Sequence, residues 1–301
     1  MATHKEYDQY TNGSEVSKVF AERVRGKNIV ITGVSPKSLG ETLATILATH
    51  SPKTLILASR TKSKVEAVVE KTRQVASDCN PIVISLDLSS QKSVRQAAAE
   101  IADLVDHIDL LINNAAVMSP EHLRTKEGIE LQFGTNHIGH FLFTTLLLPQ
   151  LKAAARSAPK GAVRVVNVTS QGHRLSPIRF HDYNFEGKEV PDEEKPASWV
   201  PEHFLPKADK PYSGFLSYGQ CKTANILFSI GLTERLEAEG IRSYAVHPGS
   251  IHTDLSRNLS PEDEAIIEGT AGFWRSHDQG TSTILVAALD PALDTGNHGV
   301  F

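Results

Sequence analysis

The sequence predicts an α/β fold, a doubly wound parallel sheet in a single domain. Three observations carry this: apolar β-branched runs alternate with helical stretches, a glycine-bounded turn follows the first run, and short polar turns close later ones. Residues 28–32 (NIVIT), 54–58, 82–86, 108–112, 163–168 and 243–246 read as strands. Their continuous apolar character suits strands covered on both faces, as in parallel sheets. Helices are expected over 39–49, 63–76, 90–104, about 128–155 and 218–238. The handedness of βαβ crossovers then gives the doubly wound arrangement, with ligands at the carboxyl ends of the strands.

Composition excludes several classes. The 301 residues are 40% hydrophobic and 22% charged, an ordinary globular balance. A net charge of -4 gives no reason to expect nucleic acid or an anionic membrane as partner. The two cysteines, Cys79 and Cys221, lack zinc spacing and fit a reducing compartment. Residues 1–14 are polar, unlike a signal peptide, and the apolar run 141–148 is too short to span a bilayer. A cytoplasmic protein is expected.

One domain is expected over 1–301. Residues 1–25 form an N-terminal brace, with Val16, Val19, Phe20 and Val24 spaced for one apolar helix face. Between Gly172 and Ser217 lie six of the fifteen prolines and seven aromatics: Phe180, Tyr183, Phe185, Trp199, Phe204, Tyr212 and Phe215. So long a proline-punctuated segment inside a compact domain is usually a functional loop, so 172–217 is read as an enlarged substrate lid. Its run Asp192-Glu193-Glu194-Lys195 reads as a solvated face. Residues 251–278 are expected to form a second substrate loop opposite.

The turn after the first strand, Thr32-Gly33-Val34-Ser35-Pro36-Lys37-Ser38-Leu39-Gly40, combines glycines with a helix N-terminus, which suits a pyrophosphate. At the end of the second strand Ser59 stands where an acidic residue would bind a ribose 2′-hydroxyl, and Arg60 follows. A guanidinium there, with Lys37 as a second cation, points to NADP(H). Asp87-Leu88 is placed for the adenine edge, and Asn113-Asn114-Ala115-Ala116 forms a tight polar turn beside the cofactor. The decisive set is Asn136, Ser170 and Tyr218-Gly219-Gln220-Cys221-Lys222. A phenol titrates near pH ~10 in water, and an ammonium at i+4 on the same helix face is expected to lower that value.

These motifs, in this order, resemble the short-chain dehydrogenase/reductase superfamily from about Gly26 onward. The chain is similar to fungal oxidoreductases and to the retinol dehydrogenase and WW-domain oxidoreductase group. The match rests on ITG (31–33), ASR (58–60), LDL (86–88), NNAA (113–116), NHIGHF (136–141), VVNVTS (165–170), YGQCK (218–222) and HPGSIHT (247–253). The resemblance implies a Rossmann-like fold in which Tyr218 exchanges a proton with the substrate oxygen and Ser170, rather than Thr169, orients it. It implies that Lys222 binds the nicotinamide ribose and Asn136 holds a water linking Lys222 to solvent. Pro248, Gly249, Ile251 and Thr253 would clasp the nicotinamide amide, and Asn114, Ala115 and Ala116 would line the adenosine side. Gly33, Ser35, Lys37, Ser38, Leu39, Arg60, Asp87 and Leu88 complete the implied cofactor site, which Tyr218 and Lys222 also touch. The substrate is then a carbonyl or alcohol on a fairly bulky apolar small molecule, with secondary metabolism as its setting and reduction as the direction. Family members often pair through the helices at 128–155 and 218–238, which implies a homodimer or homotetramer.

Departures from the family pattern are informative. The glycine turn is one residue longer than TGxxxGxG and carries Ser38 at the middle glycine, while Lys37 matches a basic position of NADP-preferring members. A metal at His137 and His140 is disfavoured, because no carboxylate or third ligand accompanies them. Cys221 reads as a packed thiol. Two rivals stand: a catalytically silent NADP(H)-sensing or scaffolding protein on the same fold, and a nucleotide-sugar epimerase or dehydratase. The second would need a large C-terminal sugar domain, and fewer than fifty residues follow Thr253.

Overall fold

The computed structural model describes residues 2–207 and 211–295. Position 1, lid positions 208–210 and positions 296–301, all inside the expected domain, lie outside the described residues. Six parallel strands form the central sheet: β1 (Asn28–Thr32), β2 (Thr54–Ser59), β3 (Ile82–Ser85), β4 (Leu110–Asn113), β5 (Val163–Val168) and β6 (Ile241–Val246). They are ordered β3-β2-β1-β4-β5-β6, so the chain reverses direction across the sheet between β1 and β4. Register follows largely from apolar pairing, as in Ile29 opposite Leu55 and Leu111 opposite Val165.

The helices are α1 (Gly13–Val19), α2 (Leu39–Ala48), α3 (Lys62–Val75), α4 (Gln91–Leu104), α5 (Leu131–Phe133), α6 (Gly139–Leu146), α7 (Leu148–Ala155), α8 (Gly214–Leu236), α9 (Pro261–Thr270) and α10 (His277–Leu289). One face of the sheet packs α1, α2, α3 and α10 around Val16, Leu43, Val68 and Ile284. The other packs α4, α6, α7 and α8 around Val94, Phe143, Leu151 and Leu232. Burying both faces explains the unbroken apolar strands. Inside this apolar sheet runs one polar ladder. Asn113 Nδ2 donates to Thr144 Oγ1 (2.9 Å) and Asn167 Oδ1 (2.8 Å), and Asn167 Nδ2 donates to Ser229 Oγ (2.8 Å) and Ser243 Oγ (3.2 Å). Buried amides linked in this way hold β4, β5 and β6 in one register, although Asn113 Oδ1 has no partner among the described residues.

The single long helix expected over 128–155 is instead three pieces, with a wide π turn over Gly134–Ile138 and Pro149 restarting the chain at α7. The brace docks as expected through Val16, Phe20 and Val24, but Val19 is 53% exposed. The reason is that α1 ends at Val19 and the chain passes into a short 3-10 turn, so the apolar face does not continue around it. Helix α10 has no counterpart among the predicted helices, yet α1 is clamped onto it. Ser14 donates from its backbone N (2.8 Å) and its hydroxyl (2.7 Å) to the Asp278 carboxylate. The signal for α10 was the capping box Ser276-x-x-Gln279, which the structure forms.

The edge of the sheet away from the site is fixed by a buried cation. Arg164 on β5 has a fully buried side chain and donates to the carbonyl oxygens of Gly161, Ala287 and Asp290 and to the Asp294 carboxylate, which also takes Arg23. Removing one partner of a buried pair leaves the other charge uncompensated. Asp294→Ala is expected to lose about 3–5 kcal/mol in urea denaturation. A loss within ~0.5 kcal/mol would mean that the carbonyl oxygens alone satisfy Arg164.

Candidate active site

The site forms where the sheet order reverses. Thr32 and Gly33 end β1 beside the Asn114-Ala115 turn that ends β4. Thr32 Oγ1 accepts from the backbone N of Asn114 (3.0 Å) and Ala115 (3.1 Å), and Asn114 Nδ2 donates back to the Thr32 carbonyl (2.9 Å). Gly33 has φ +76, and a Cβ there would lie 2.5 Å from the Ala115 Cα. Only glycine permits both this backbone conformation and this approach.

Beyond Gly33 the turn closes on itself. Ser38 caps α2, accepting from Glu41 N (3.2 Å) and donating to the Ser35 carbonyl (2.7 Å). Ser38 keeps an extended φ of -115, and Lys37 takes the left-handed conformation with φ 60. The extra residue in the turn thus absorbs the unusual backbone angle, and the serine at the middle-glycine position stays unstrained. Glu41 accepts the Lys37 backbone N (3.1 Å) and pairs with Lys71. Among the described residues, neither the Lys37 ammonium nor the Arg60 guanidinium has a carboxylate within 4.0 Å. Asp87 at the end of β3 accepts from Ser89 N (3.0 Å) and Ser89 Oγ (2.6 Å), and Leu88 is buried behind it.

Helix α8 delivers the second half of the site. Ser213 caps it by accepting from Leu216 N (3.2 Å), and its first turns are buried on every side, including Tyr218, Cys221 and Lys222. Gly219 lets this helix sit against the Ser170 turn, since a Cβ would lie 2.8 Å from the Gly172 carbonyl. Lys222 Nζ donates to the Val168 carbonyl (2.9 Å) and lies 5.3 Å from the centre of the Tyr218 ring. Ser170, just after β5, lies beside the Tyr218 phenol and accepts from Gly172 N (3.1 Å). Thr169 donates to the Lys222 backbone carbonyl (2.9 Å), so its hydroxyl is turned into the helix and away from the phenol. Cys221 is fully buried and donates to the Ser217 carbonyl (3.0 Å), and burial pushes its thiol well up.

Electrostatics departs from the sequence expectation. Burial pushes the Tyr218 phenol above its ordinary value, the Cys221 sulfur adds to this, and the Ser170 hydrogen bond opposes it. The lysine does not reverse this, because i+4 spacing puts the ammonium beside the ring. Burial also brings Lys222 down to about 8. In the free protein the phenol therefore holds its proton.

Asn136 sits in the π turn with its side chain paired to Val117: Oδ1 accepts from Val117 N (2.8 Å) and Nδ2 donates to the Val117 carbonyl (2.9 Å). Its backbone carbonyl faces α8 and accepts from Asn225 Nδ2 (3.2 Å). After β6, Pro248-Gly249 leads into β7 (Ser250–Ile251), which pairs in parallel with β8 (Trp274–Arg275). Arg275 lies over Gly249 and contacts the Pro248 carbonyl (3.4 Å), a neighbour that the sequence reading did not single out. Thr253 caps the following turn by accepting from Leu255 N (3.3 Å).

The lid is folded onto this site. Gln220, inside the Tyr-x-x-x-Lys run, accepts from Arg179 N (2.9 Å) and donates to the Tyr183 carbonyl (3.0 Å). The backbone at its start is held by Thr223, which donates to the carbonyls of His173 (2.9 Å) and Ser176 (2.7 Å). Phe185, Phe204, Tyr212 and Phe215 join Met118 and Tyr218 in a buried cluster, against which Leu255, Leu259, Ile266 and Ile267 of the second loop pack. Phe180, Tyr183 and Trp199 face outward, at 70%, 45% and 59% exposure, so only part of the aromatic set is placed to wall a pocket. Glu194 departs from the expected solvated face: it is buried and accepts from His181 N (3.0 Å). Between the two loops lies a cavity of about 200 Å³ bordered by Met118, Tyr212, Phe215, Leu259 and Ile266.

The family model for short chain dehydrogenases matches residues 27–184. An oxidoreductase of Fusarium equiseti, FscI, is 36% identical over 246 residues, 81% of this chain and 94% of that protein. Retinol dehydrogenase 11 of Mus musculus is 34% identical over 275 residues, 91% of this chain and 77% of that one. Among solved structures, a short-chain type dehydrogenase/reductase from Mycobacterium marinum superposes with a TM-score of 0.67 at 17% identity, covering 92% of this chain and 94% of the other. Among the described residues, no helix is long and apolar enough to cross a membrane.

The buried lysine sets a measurable trade-off. A cation whose folded pKa falls from 10.5 to about 8 destabilises the fold below pH 8, and that penalty fades as pH rises toward 10.5. Lys222→Met is expected to gain roughly 1–3 kcal/mol at pH 7, after allowing for the unpaired Val168 carbonyl, and to lose that gain toward pH 10. Urea denaturation at both pH values measures it; a variant less stable than the wild type at pH 7 refutes the buried-cation penalty.

Proposed function

The chain belongs to the short chain dehydrogenase/reductase family, and from that premise we propose that it is an NADPH-dependent reductase of a carbonyl on a fairly bulky apolar small molecule, the reverse alcohol oxidation included. It is an oxidoreductase of alcohol or carbonyl groups. The observation that carries the direction is the buried, protonated phenol of Tyr218, beside Ser170 just after β5. A carbonyl becoming an alcohol needs a proton donor at its oxygen, and a buried phenol that holds its proton is one.

When bound, NADPH supplies the hydride. The residues present fit it: α2 offers its N-terminus, and Lys37 and Arg60 lack carboxylate partners among the described residues. Asn114, Ala115 and Ala116 would hold the adenosine side, with Asp87 and Leu88 at the adenine. Pro248, Gly249, Ile251 and Thr253 would hold the nicotinamide amide. Ser170 orients the substrate oxygen and Tyr218 gives it the proton. Lys222 would hold the nicotinamide ribose and return a proton toward the phenol, with Asn136 on the path to solvent. Proton transfer of this kind contributes ~10²–10⁴-fold, and positioning the reactants contributes much of the rest.

Support for the substrate class comes from the apolar cluster shared by Tyr218, Met118 and Phe215. The cavity between the two loops, about 200 Å³ and not bordered by Tyr218 or Ser170, is smaller than the ~300–1,000 Å³ of pockets that bury drug-sized ligands, so a bulky substrate reaching the phenol requires the lid to shift. Both cysteines are free and buried, which suits the cytoplasm. A homodimer through α6 and α8 is supported by Phe141 and Leu227, which those helices leave 46% and 50% exposed.

NADPH oxidation against a size-graded ketone panel tests the activity. Turnover is expected to favour the larger apolar ketones, and Tyr218→Phe to lower it by ~10²–10⁴-fold with NADPH binding retained. Equal turnover by the variant sinks the acid assignment, and no turnover by the wild type favours a silent NADP(H) sensor. For the cofactor, Arg60→Asp is expected to weaken NADPH binding by about tenfold or more and to narrow the margin over NADH, read by nicotinamide fluorescence. Wild-type protein that binds NADH as tightly as NADPH refutes the preference.

A further inference from the structure

His140 is not part of the proton chemistry proposed above, yet it lies at the centre of the site. It is 2% exposed, on the first turn of α6, immediately after the π turn that holds Asn136. Its Nε2 lies 2.9 Å from Thr32 Oγ1 and its Nδ1 lies 3.1 Å from the Asn136 carbonyl. The donors can be assigned from their neighbours. Thr32 Oγ1 already accepts from two backbone N–H groups, Asn114 and Ala115, so its own proton must point to Nε2. Nε2 is therefore an acceptor, Nδ1 carries the hydrogen, and that hydrogen goes to the Asn136 carbonyl, which can only accept.

The same carbonyl accepts from Asn225 on α8, three residues after Lys222. An unbroken hydrogen-bond path thus runs from the Asn114-Ala115 turn through Thr32, His140 and Asn136 to the helix that carries Tyr218 and Lys222. Its two ends are the two halves of the proposed site. Asn136 lies in the π turn over Gly134–Ile138, where its carbonyl meets both His140 and α8.

We propose that His140 is a positioning residue: its imidazole ties the turn beside the cofactor to the catalytic helix and sets the register in which nicotinamide and Tyr218 meet. This rests on the reductase reading. The ring's surroundings keep it in the single-proton form this role needs. Burial first, then the nearby Lys222 and His137, hold it down to about 4, with the Asn136 carbonyl opposing, and among the described residues no carboxylate lies within 4.0 Å of it. A second ring proton would face the Thr32 hydroxyl hydrogen and break the path.

Two conservative variants separate the halves of the clamp. His140→Asn keeps a donor near the Nδ1 position, so it retains the Asn136 side and releases Thr32. His140→Gln places its amide near the Nε2 position and does the reverse. The first is expected to lose mainly NADPH affinity and the second mainly kcat, each by about tenfold, while His140→Phe loses both and approaches the ~10²-fold expected for misplaced reactants. NADPH affinity is read by fluorescence, without turnover. ¹⁵N-detected NMR of the wild type should show His140 neutral and protonated at Nδ1 at pH 7. A purely structural His140 predicts lower melting temperatures with unchanged NADPH affinity and kcat in the folded fraction, and that pattern, or an Nε2-protonated ring, overturns the proposal. Wild-type protein that binds no NADPH overturns the cofactor reading and this proposal together; NADPH binding with the wrong tautomer overturns this one alone.

Discussion

Placing a phenol and an ammonium side by side in the interior is the constraint that organises this protein. Both groups are costly to bury as ions, so each is pushed toward neutrality, the tyrosine upward and the lysine to about 8. The fold tolerates the cost because α8 is packed on every side: by the β5 turn, by the π turn, and by the lid that Gln220 and Thr223 stitch to it. Water is excluded by the same packing, which strengthens any hydrogen bond aimed at a substrate oxygen there.

The parallel sheet makes that packing possible. All six strands point their carboxyl ends at one edge, so Thr32, Asn114, Ser170 and Pro248 arrive from four different strands at one crevice. The buried asparagine ladder across β4, β5 and β6 fixes their relative heights, and the anchor at Arg164 holds the opposite edge. Stability and chemistry are thus assigned to opposite ends of the strands. In residues 172–207 and 211–217 the inner aromatics pack with Tyr218, while Phe180 and Trp199 are left to solvent.

Much of this was legible before any coordinates. β1 and β5 match the expected bounds and the other four strands begin or end within two residues of them, because an apolar β-branched run between turn residues has few alternatives in a parallel sheet. The glycine turn, Arg60 and the Tyr218–Lys222 pair are picked out by residue type and spacing, whereas Ser170 is picked out by the family resemblance. Helix α10 was missed because nearly all its faces are buried, which erases the amphipathic period, and the break at 134–138 was missed because no proline or glycine pair marks a π turn. The lid aromatics could not be sorted into inner and outer sets, since their loop has no period to assign faces.

The chain's own letters fixed where the strands lie and singled out the glycine turn and the Tyr-x-x-x-Lys run as candidates, since these depend on local spacing and on side-chain chemistry. Tertiary structure alone decided the protonation of that group. Spacing puts Lys222 one helical turn from Tyr218, but only packing reveals that both are desolvated and that the ammonium lies beside the ring. It also placed His140 between Thr32 and Asn136, which lie on different elements and meet only when the sheet and the π turn are assembled. Desolvation and long-range hydrogen bonding are properties of the assembled interior, and no local pattern encodes them.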